Sequence, residues 1–181
     1  FLYQFPDYRE IQNIKKIKEK SSVLYLGMDL HKFDPFLPKA NANQKPLILW
    51  NHRWEHDKNP EDFFEIIQDL SKKGVDFKLA VLGEQFKDEP SCFTLARTKL
   101  DQHIYQFGYT DSFDDYAKWL WKADILPVTS KQDFFGASIM EAVYCQTFPL
   151  LPRRLTYPEL FQEDNNPQLF YDNLDDLSEK L

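Results

Sequence analysis

Two basic side chains, Arg53 and Lys58, are the first residues whose types and spacing indicate chemistry. Four residues separate them, in a segment that follows an apolar run and precedes a predicted helix beginning at Pro60. Because a helix N-terminus is itself partly positive, two more cations beside it repel one another unless an anion joins them. A diphosphate would supply that negative charge. Alternatively, both cations pair with the carboxylates of residues 55–61 on a solvated surface.

A second group of candidate residues lies in the segment DFFGASIME, which runs from Asp133 to Glu141. Gly136 precedes a predicted helix that begins at Ser138, so the N–H groups of this turn could hold an anion or sugar hydroxyls. The carboxylates of Asp133 and Glu141, which flank this turn, are suited to accept hydrogen bonds from pairs of neighbouring hydroxyls. Alternatively, Ser138 and Glu141 form a capping box, in which Glu141 accepts the N–H of Ser138 and needs no ligand. Spacing alone slightly favours the capping box.

The few glycines of the chain form a third set of candidates. Only five occur among 181 residues, so each is expected at a backbone position that glycine fills best. Gly83 and Gly108 end apolar runs predicted to be strands, and the tripeptide Phe107-Gly108-Tyr109 opens onto a turn where a planar base could lie. Ordinary strand-to-helix turns would explain the same glycines. The run VLYLG, which ends at Gly27, is also predicted to be a strand.

Metal and thiol chemistry are weakly indicated. His52 and His56 have the spacing of a metal-binding pair, but no third ligand is evident and no Asp-x-Asp motif is present. We therefore expect no metal ion and no cofactor. Cys92 and Cys145 are too few for a disulfide framework and lie in predicted helices, which favours packing roles in a reducing compartment.

The elements that must position these residues alternate between strands and helices. Strict alternation predicts an α/β fold with a doubly wound parallel sheet, Rossmann-like and covered on both faces. Ligands of such sheets bind at the carboxyl ends of the strands, where all three candidate groups lie. The predicted strands are 47–51, 77–82, 104–107, 124–128, 148–151 and 168–171, and the predicted helices are 60–73, 91–100, 112–122, 138–146, 156–162 and a last one from 173.

Residues 1–45 do not follow this alternation. We interpret them as a connector from a preceding domain, with a basic amphipathic helix near Ile14, and residues 46–181 as the Rossmann-like domain. Because the chain begins at Phe1 rather than at Met, we expect a piece of a longer protein.

Charge and hydropathy exclude several partners. The net charge of −7 does not agree with a broadly cationic surface for non-specific nucleic-acid binding. No apolar run approaches the length of a membrane span, and the first residues lack the features of a signal peptide. These observations predict a protein of the cytoplasm, or of the nucleus, without a membrane partner.

Taken together, these motifs resemble the carboxyl-terminal half of retaining glycosyltransferases of family 4, which have the GT-B fold. Arg53-x4-Lys58 matches a motif at the start of that half, and Asp133-x7-Glu141 matches the acidic motif around a GFG-like turn, with Asp in place of the leading Glu. His52 stands where many relatives have Gly. The resemblance covers about residues 45–160.

The resemblance implies a role for each candidate residue. Arg53 and Lys58 would bind the diphosphate and stabilise it as the leaving group of a metal-independent, configuration-retaining transfer. Asp133 would contact hydroxyls of the donor sugar, and Glu141 the ribose diol. The remaining donor-binding residues would be Phe135, Gly136 and Ala137 through their N–H groups, with Ser138, Gly83, Phe107, Gly108 and Tyr109.

Two longer segments, WNHRWEHDKNPEDFFE and DFFGASIMEAVYCQTFPLLP, resemble one branch of that family more closely. Its members transfer mannose from GDP-mannose to the queuosine base in the anticodon of aspartate tRNA. The resemblance implies that this chain holds the donor-binding half, that tRNA is contacted mainly by a preceding half, and that the chain alone is inactive. A different class remains open, namely a non-catalytic domain that binds nucleotide sugars or partners on the same scaffold.

Overall fold

The computed structural model describes residues 11–38, 45–84 and 90–181. Its centre is a six-stranded sheet in which every neighbouring pair is parallel and the strand order is β3-β2-β1-β4-β5-β6. This is the doubly wound order, so the predicted Rossmann-like fold is confirmed. The strands are β1 (Leu47–Trp50), β2 (Lys78–Val81), β3 (Ile104–Phe107), β4 (Ile125–Pro127), β5 (Phe148–Pro152) and β6 (Phe170–Tyr171).

The helices follow the predicted alternation, and their ends lie within a few residues of the predicted ones. Before the sheet, the basic amphipathic segment forms α1 (Gln12–Glu19), which has no buried residue. The others are α2 (Pro60–Lys72), α3 (Cys92–Lys99), α4 (Phe113–Lys122), α5 (Ala137–Tyr144), α6 (Tyr157–Leu160) and α7 (Leu174–Lys180).

Helices cover both faces of the sheet. Because alternate residues of each strand point to opposite sides, each strand packs against helices on both faces. In β1, Ile48 and Trp50 pack with α2 and α3, whereas Leu47 and Leu49 pack with α4 and α5. All four side chains are buried. With both faces covered, a ligand of such a sheet binds at the carboxyl ends of the strands.

The run VLYLG was predicted to be a strand, and that prediction is wrong. Residues 23–27 have no regular structure, and Leu24 is 95% exposed. A strand needs a neighbour for its backbone N–H and C=O groups, and the described sheet pairs no strand with this run. Apolar composition alone was therefore a false signal here.

A short 3-10 helix, His31–Phe36, lies between that run and the sheet. Its Phe33 is fully buried in the core beside α4, and the indole Nε1 of Trp121 donates a hydrogen bond to the Phe33 carbonyl at 2.8 Å. This 3-10 helix thus packs against the core of the domain. Within the described part of the chain, no helix is both long enough and apolar enough to cross a bilayer.

Candidate functional site

Two adjoining clefts lie at the carboxyl ends of the strands, beside the point between β1 and β4 where the strand order reverses. The Glu141 cleft, of about 380 Å³, is lined by residues that follow β1, β2 and β3 and by Glu141 of α5. The Asp133 cleft, of about 290 Å³, is lined by residues 57–58 and by the turn 132–137. Arg53 lines both clefts, so the two clefts adjoin at this residue.

The structure brings most of the sequence-predicted site residues to these two clefts. Gly83 and Tyr109 line the Glu141 cleft, while the Asp133 cleft is lined by Lys58, Asp133, Phe135, Gly136 and Ala137. Three predicted residues do not line either cleft. Phe107 packs edge-on against Trp54 at 5.0 Å, Gly108 is buried, and Ser138 is bonded to residues that follow β1.

The two cations differ sharply in environment. The side chain of Lys58 is only 11% exposed, and its ammonium donates to the Gln132 carbonyl at 2.9 Å while lying 3.2 Å from Asp57 and 3.7 Å from Asp133. Arg53, by contrast, has a side chain that is 56% exposed and pairs with Glu55 at 3.0 Å. The pairing with neighbouring carboxylates that the sequence left open is therefore present, and Lys58 in addition joins the two halves of the Asp133 cleft.

The turn that begins α5 is held by Asp133. One carboxylate oxygen accepts the N–H of Gly136 at 2.9 Å, and the other accepts the hydroxyl of Tyr157 at 3.1 Å. Burial, and then the charge of Asp133, raises the pKa of Tyr157, so the hydroxyl stays protonated and donates. Asp133 already takes the Gly136 N–H, and the N–H groups of Ile139 and Met140 bond to the Gly136 carbonyl. The backbone donors that α5 can offer to a ligand are therefore those of Ala137 and Ser138, its first two residues.

The capping box is not formed. Gly136, with φ of +79°, precedes α5, and the helix begins at Ala137, so Ser138 lies inside the first turn. The Glu141 carboxylate instead accepts the Lys32 ammonium at 3.0 Å and the Tyr116 hydroxyl at 2.9 Å. Glycine adopts the left-handed backbone conformation more readily than any other residue. Gly136 therefore takes the position before the helix, and the helix begins one residue before Ser138. Glu141 consequently lines the cleft and does not cap the N-terminus of its own helix.

Two residues that follow β1 tie this strand to α5. The Asn51 amide donates to the Ser138 carbonyl at 2.7 Å, and His52 Nδ1 lies 3.0 Å from the Ser138 hydroxyl. Burial lowers the pKa of His52 to about 4; the negative charge of Asp133 raises this pKa by a smaller amount, and the positive charge of Lys58 lowers it further. The imidazole is therefore neutral near pH 7. These contacts set the position of α5, and hence of Glu141, relative to β1.

Gly83 is required by a close approach of two backbones. Its φ is +129°, and a Cβ at this position would lie 2.0 Å from the carbonyl oxygen of His52. No side chain fits there without moving the backbone. The prediction that this glycine fills a special position is confirmed, and the reason is the meeting of the ends of β1 and β2.

Some site residues escaped the sequence analysis. Lys32 lies in the segment interpreted as a connector, and no local spacing relates it to Glu141, 109 positions later. Tyr116 belongs to the buried side of α4, where its aromatic ring predicts packing and its hydroxyl gives no signal. His52 and His56 were weighed as a metal pair, but among the described residues no group of three or more metal-binding side chains occurs.

Comparison with known proteins agrees with this geometry. The family model described as "Glycosyl transferases group 1" matches residues 34–181. A tRNA-queuosine alpha-mannosyltransferase of Drosophila melanogaster is 31% identical over 189 aligned residues, which cover all of this chain and 48% of that protein. This chain therefore spans about half the length of that relative.

Solved structures of low sequence identity share the fold. A glycosyltransferase from Rickettsia africae has a TM-score of 0.69 at 18% identity, covering 93% of this chain and 50% of that one. The C-terminal domain of a group 1 glycosyl transferase from Francisella tularensis has a TM-score of 0.62 at 18% identity, covering 86% of this chain and 82% of that domain. These neighbours have the GT-B fold, and the domain built on this six-stranded sheet corresponds to the carboxyl-terminal half of that fold. With the family match over residues 34–181, the chain belongs to the group 1 glycosyltransferases.

Proposed function

We propose that this chain is the donor-binding half of a retaining glycosyltransferase that moves mannose from GDP-mannose to queuosine in the anticodon of aspartate tRNA. The name of the Drosophila relative, a tRNA-queuosine alpha-mannosyltransferase, supports mannose and queuosine, and the resemblance of the sequence motifs supports GDP-mannose and the aspartate tRNA. We further propose a cytoplasmic protein, in which a preceding half contacts most of the tRNA.

The observation that carries this proposal is the pair of clefts joined at Arg53. A nucleotide sugar is a linear molecule, in which a base, a ribose, a diphosphate and a sugar follow one another. We infer that the two clefts hold these parts in the same order. The base would lie by Tyr109 and Gly83, the ribose by Glu141, the diphosphate by Arg53, and the sugar by Asp133.

The chemistry follows from where charge develops. As the bond between sugar and diphosphate breaks, negative charge grows on the leaving diphosphate, and groups already aimed at it lower the barrier. Lys58 is held by its three partners and needs little reorganisation. Arg53 can exchange its exposed pairing with Glu55 for the diphosphate. Protein cations would thus do what a metal ion does in other transferases.

Calorimetry on the purified chain tests the proposal. GDP and GDP-mannose should bind at least about tenfold more tightly than UDP-glucose or ADP, a difference of about 1.4 kcal/mol. Equal or tighter binding of the uridine ligand would remove the mannosyl assignment. Binding of none of these ligands would refute a donor-binding site.

A transfer assay separates catalysis from binding alone. The chain by itself should leave queuosine-containing tRNA unmodified, because the acceptor would be held by the preceding half. Transfer of mannose by the 181-residue chain would show that this division of labour is wrong. If the chain joined to an amino-terminal half of a relative binds GDP-mannose without ever transferring mannose, the non-catalytic alternative is the better description.

A further inference from the structure

The carboxylate of Glu141 lies between two donors that come from different parts of the chain. Lys32, in the 3-10 helix before β1, places its ammonium 3.0 Å from one oxygen. Tyr116, in α4, donates its hydroxyl to the other at 2.9 Å. The Glu141 side chain is 16% exposed and that of Lys32 is 41% exposed, so the ion pair is open to solvent on the lysine side, whereas the Tyr116 contact is partly buried.

We propose that Lys32 is a positioning residue for the nucleotide, which holds Glu141 so that its carboxylate meets the two neighbouring hydroxyls of the ribose. This inference rests on the proposed function, since it assumes that a nucleoside diphosphate occupies the Glu141 cleft. It adds a residue from the segment before the sheet to the donor site.

The hydrogen-bonding capacity of the carboxylate supports this assignment. An ionised carboxylate has two oxygens and about four acceptor positions. Lys32 takes one position on Oε1 and Tyr116 takes one on Oε2. Each oxygen therefore keeps an acceptor position, and the two that remain match a pair of vicinal hydroxyls. Burial, and then the charge of Glu141, raises the pKa of Tyr116, so the phenol remains a donor and does not compete as an anion.

Lys32 itself is fixed by more than this ion pair. Its ammonium lies 5.0 Å from the centre of the Phe33 ring and 5.1 Å from that of Phe113, within the range of cation–π attraction. Phe33 is fully buried, and Phe113 lines the Glu141 cleft. The lysine is thus anchored to the core on one side and to the wall of the cleft on the other.

The test compares ligands that carry the two ribose hydroxyls with ligands that lack them. Affinities of GDP, 2′,3′-dideoxy-GDP and inorganic pyrophosphate are measured by calorimetry for the wild-type chain and for Lys32→Met, which keeps an apolar stem against the aromatic rings. In the variant, GDP should bind about fivefold more weakly or worse, whereas the dideoxy ligand and pyrophosphate should change by less than about twofold. Lys32→Arg should recover most of the affinity for GDP.

A matched control removes a lysine far from the clefts. Lys45 pairs with Asp76 at 2.8 Å and its side chain is 48% exposed, close to the 41% of Lys32. Lys45→Met should leave all three affinities unchanged. A double-mutant cycle with Glu141→Gln then asks whether Lys32 acts through Glu141. If it does, Lys32→Met should have little further effect on GDP binding once Glu141 is neutralised.

The possible failures are distinguishable. Unchanged GDP affinity in Lys32→Met, or equal weakening of GDP and pyrophosphate, overturns the positioning role while leaving the donor site intact. Additive effects of the Lys32 and Glu141 substitutions overturn it as well. If the wild-type chain binds no GDP, the proposed function fails and this inference with it. Thermal unfolding of each variant identifies any that is merely unfolded.

Discussion

The clearest quantitative prediction concerns Lys58→Met, because one ammonium serves both stability and the candidate site. The substitution removes the hydrogen bond to the Gln132 carbonyl and leaves Asp57 and Asp133 without the cation that lies 3.2 Å and 3.7 Å from them. Removing one member of a buried charged group costs about 3–5 kcal/mol. Because 11% of the Lys58 side chain is exposed, we expect about 3 kcal/mol. For a domain of this size, that lowers Tm by about 6–12 °C.

Circular dichroism melts and calorimetry with GDP measure the two effects of this substitution. GDP should also bind about tenfold more weakly or worse, the value of a lost charged hydrogen bond. Arg53→Gln is the matched control, since Arg53 is largely exposed and pairs only with Glu55 among the described residues. It should weaken GDP to a similar extent but change stability by no more than about 0.5 kcal/mol. A Lys58→Met chain whose Tm equals that of the wild type would refute the buried-charge argument.

Three further predictions follow from the surroundings of the clefts. Gly83→Ala should destabilise the chain by about 3 kcal/mol or more in urea unfolding, because the new Cβ would lie 2.0 Å from the His52 carbonyl oxygen; a loss below about 1 kcal/mol would contradict this contact. Asp133→Asn should weaken GDP-mannose in calorimetry but leave GDP nearly unchanged, since GDP has no hexose; equal losses would instead show that Asp133 only holds the turn. The pKa of His52 is lowered from 6.5 to about 4, so the unfolded chain binds a proton that the folded chain excludes, and the free energy of unfolding should fall by up to about 3 kcal/mol between pH 6.5 and 4. His52→Gln should flatten this part of the measured pH profile, and an unchanged profile would show that His52 does not cause the loss.

The sequence by itself determined the fold class and the position of the candidate residues at the carboxyl ends of the strands. Helix α2 illustrates why, because Pro60 at its start, Gly74 beyond its end and an apolar stripe are all local signals. The alternation of strands and helices, together with the preference for parallel pairing, then leaves few topologies. The cations after β1 and the acidic turn after β4 were therefore found from their positions along the chain.

Only the tertiary structure decided what each candidate residue contacts. The spacing of Ser138 and Glu141 favoured a capping box, yet Glu141 meets Lys32 and Tyr116, which lie 109 and 25 positions away. Local spacing predicts contacts between residues that are three or four positions apart, whereas these pairs form only when α4, α5 and the segment before β1 pack together. The apolar run 23–27 failed for the same reason, since a strand exists only where a neighbouring strand accepts its backbone hydrogen bonds.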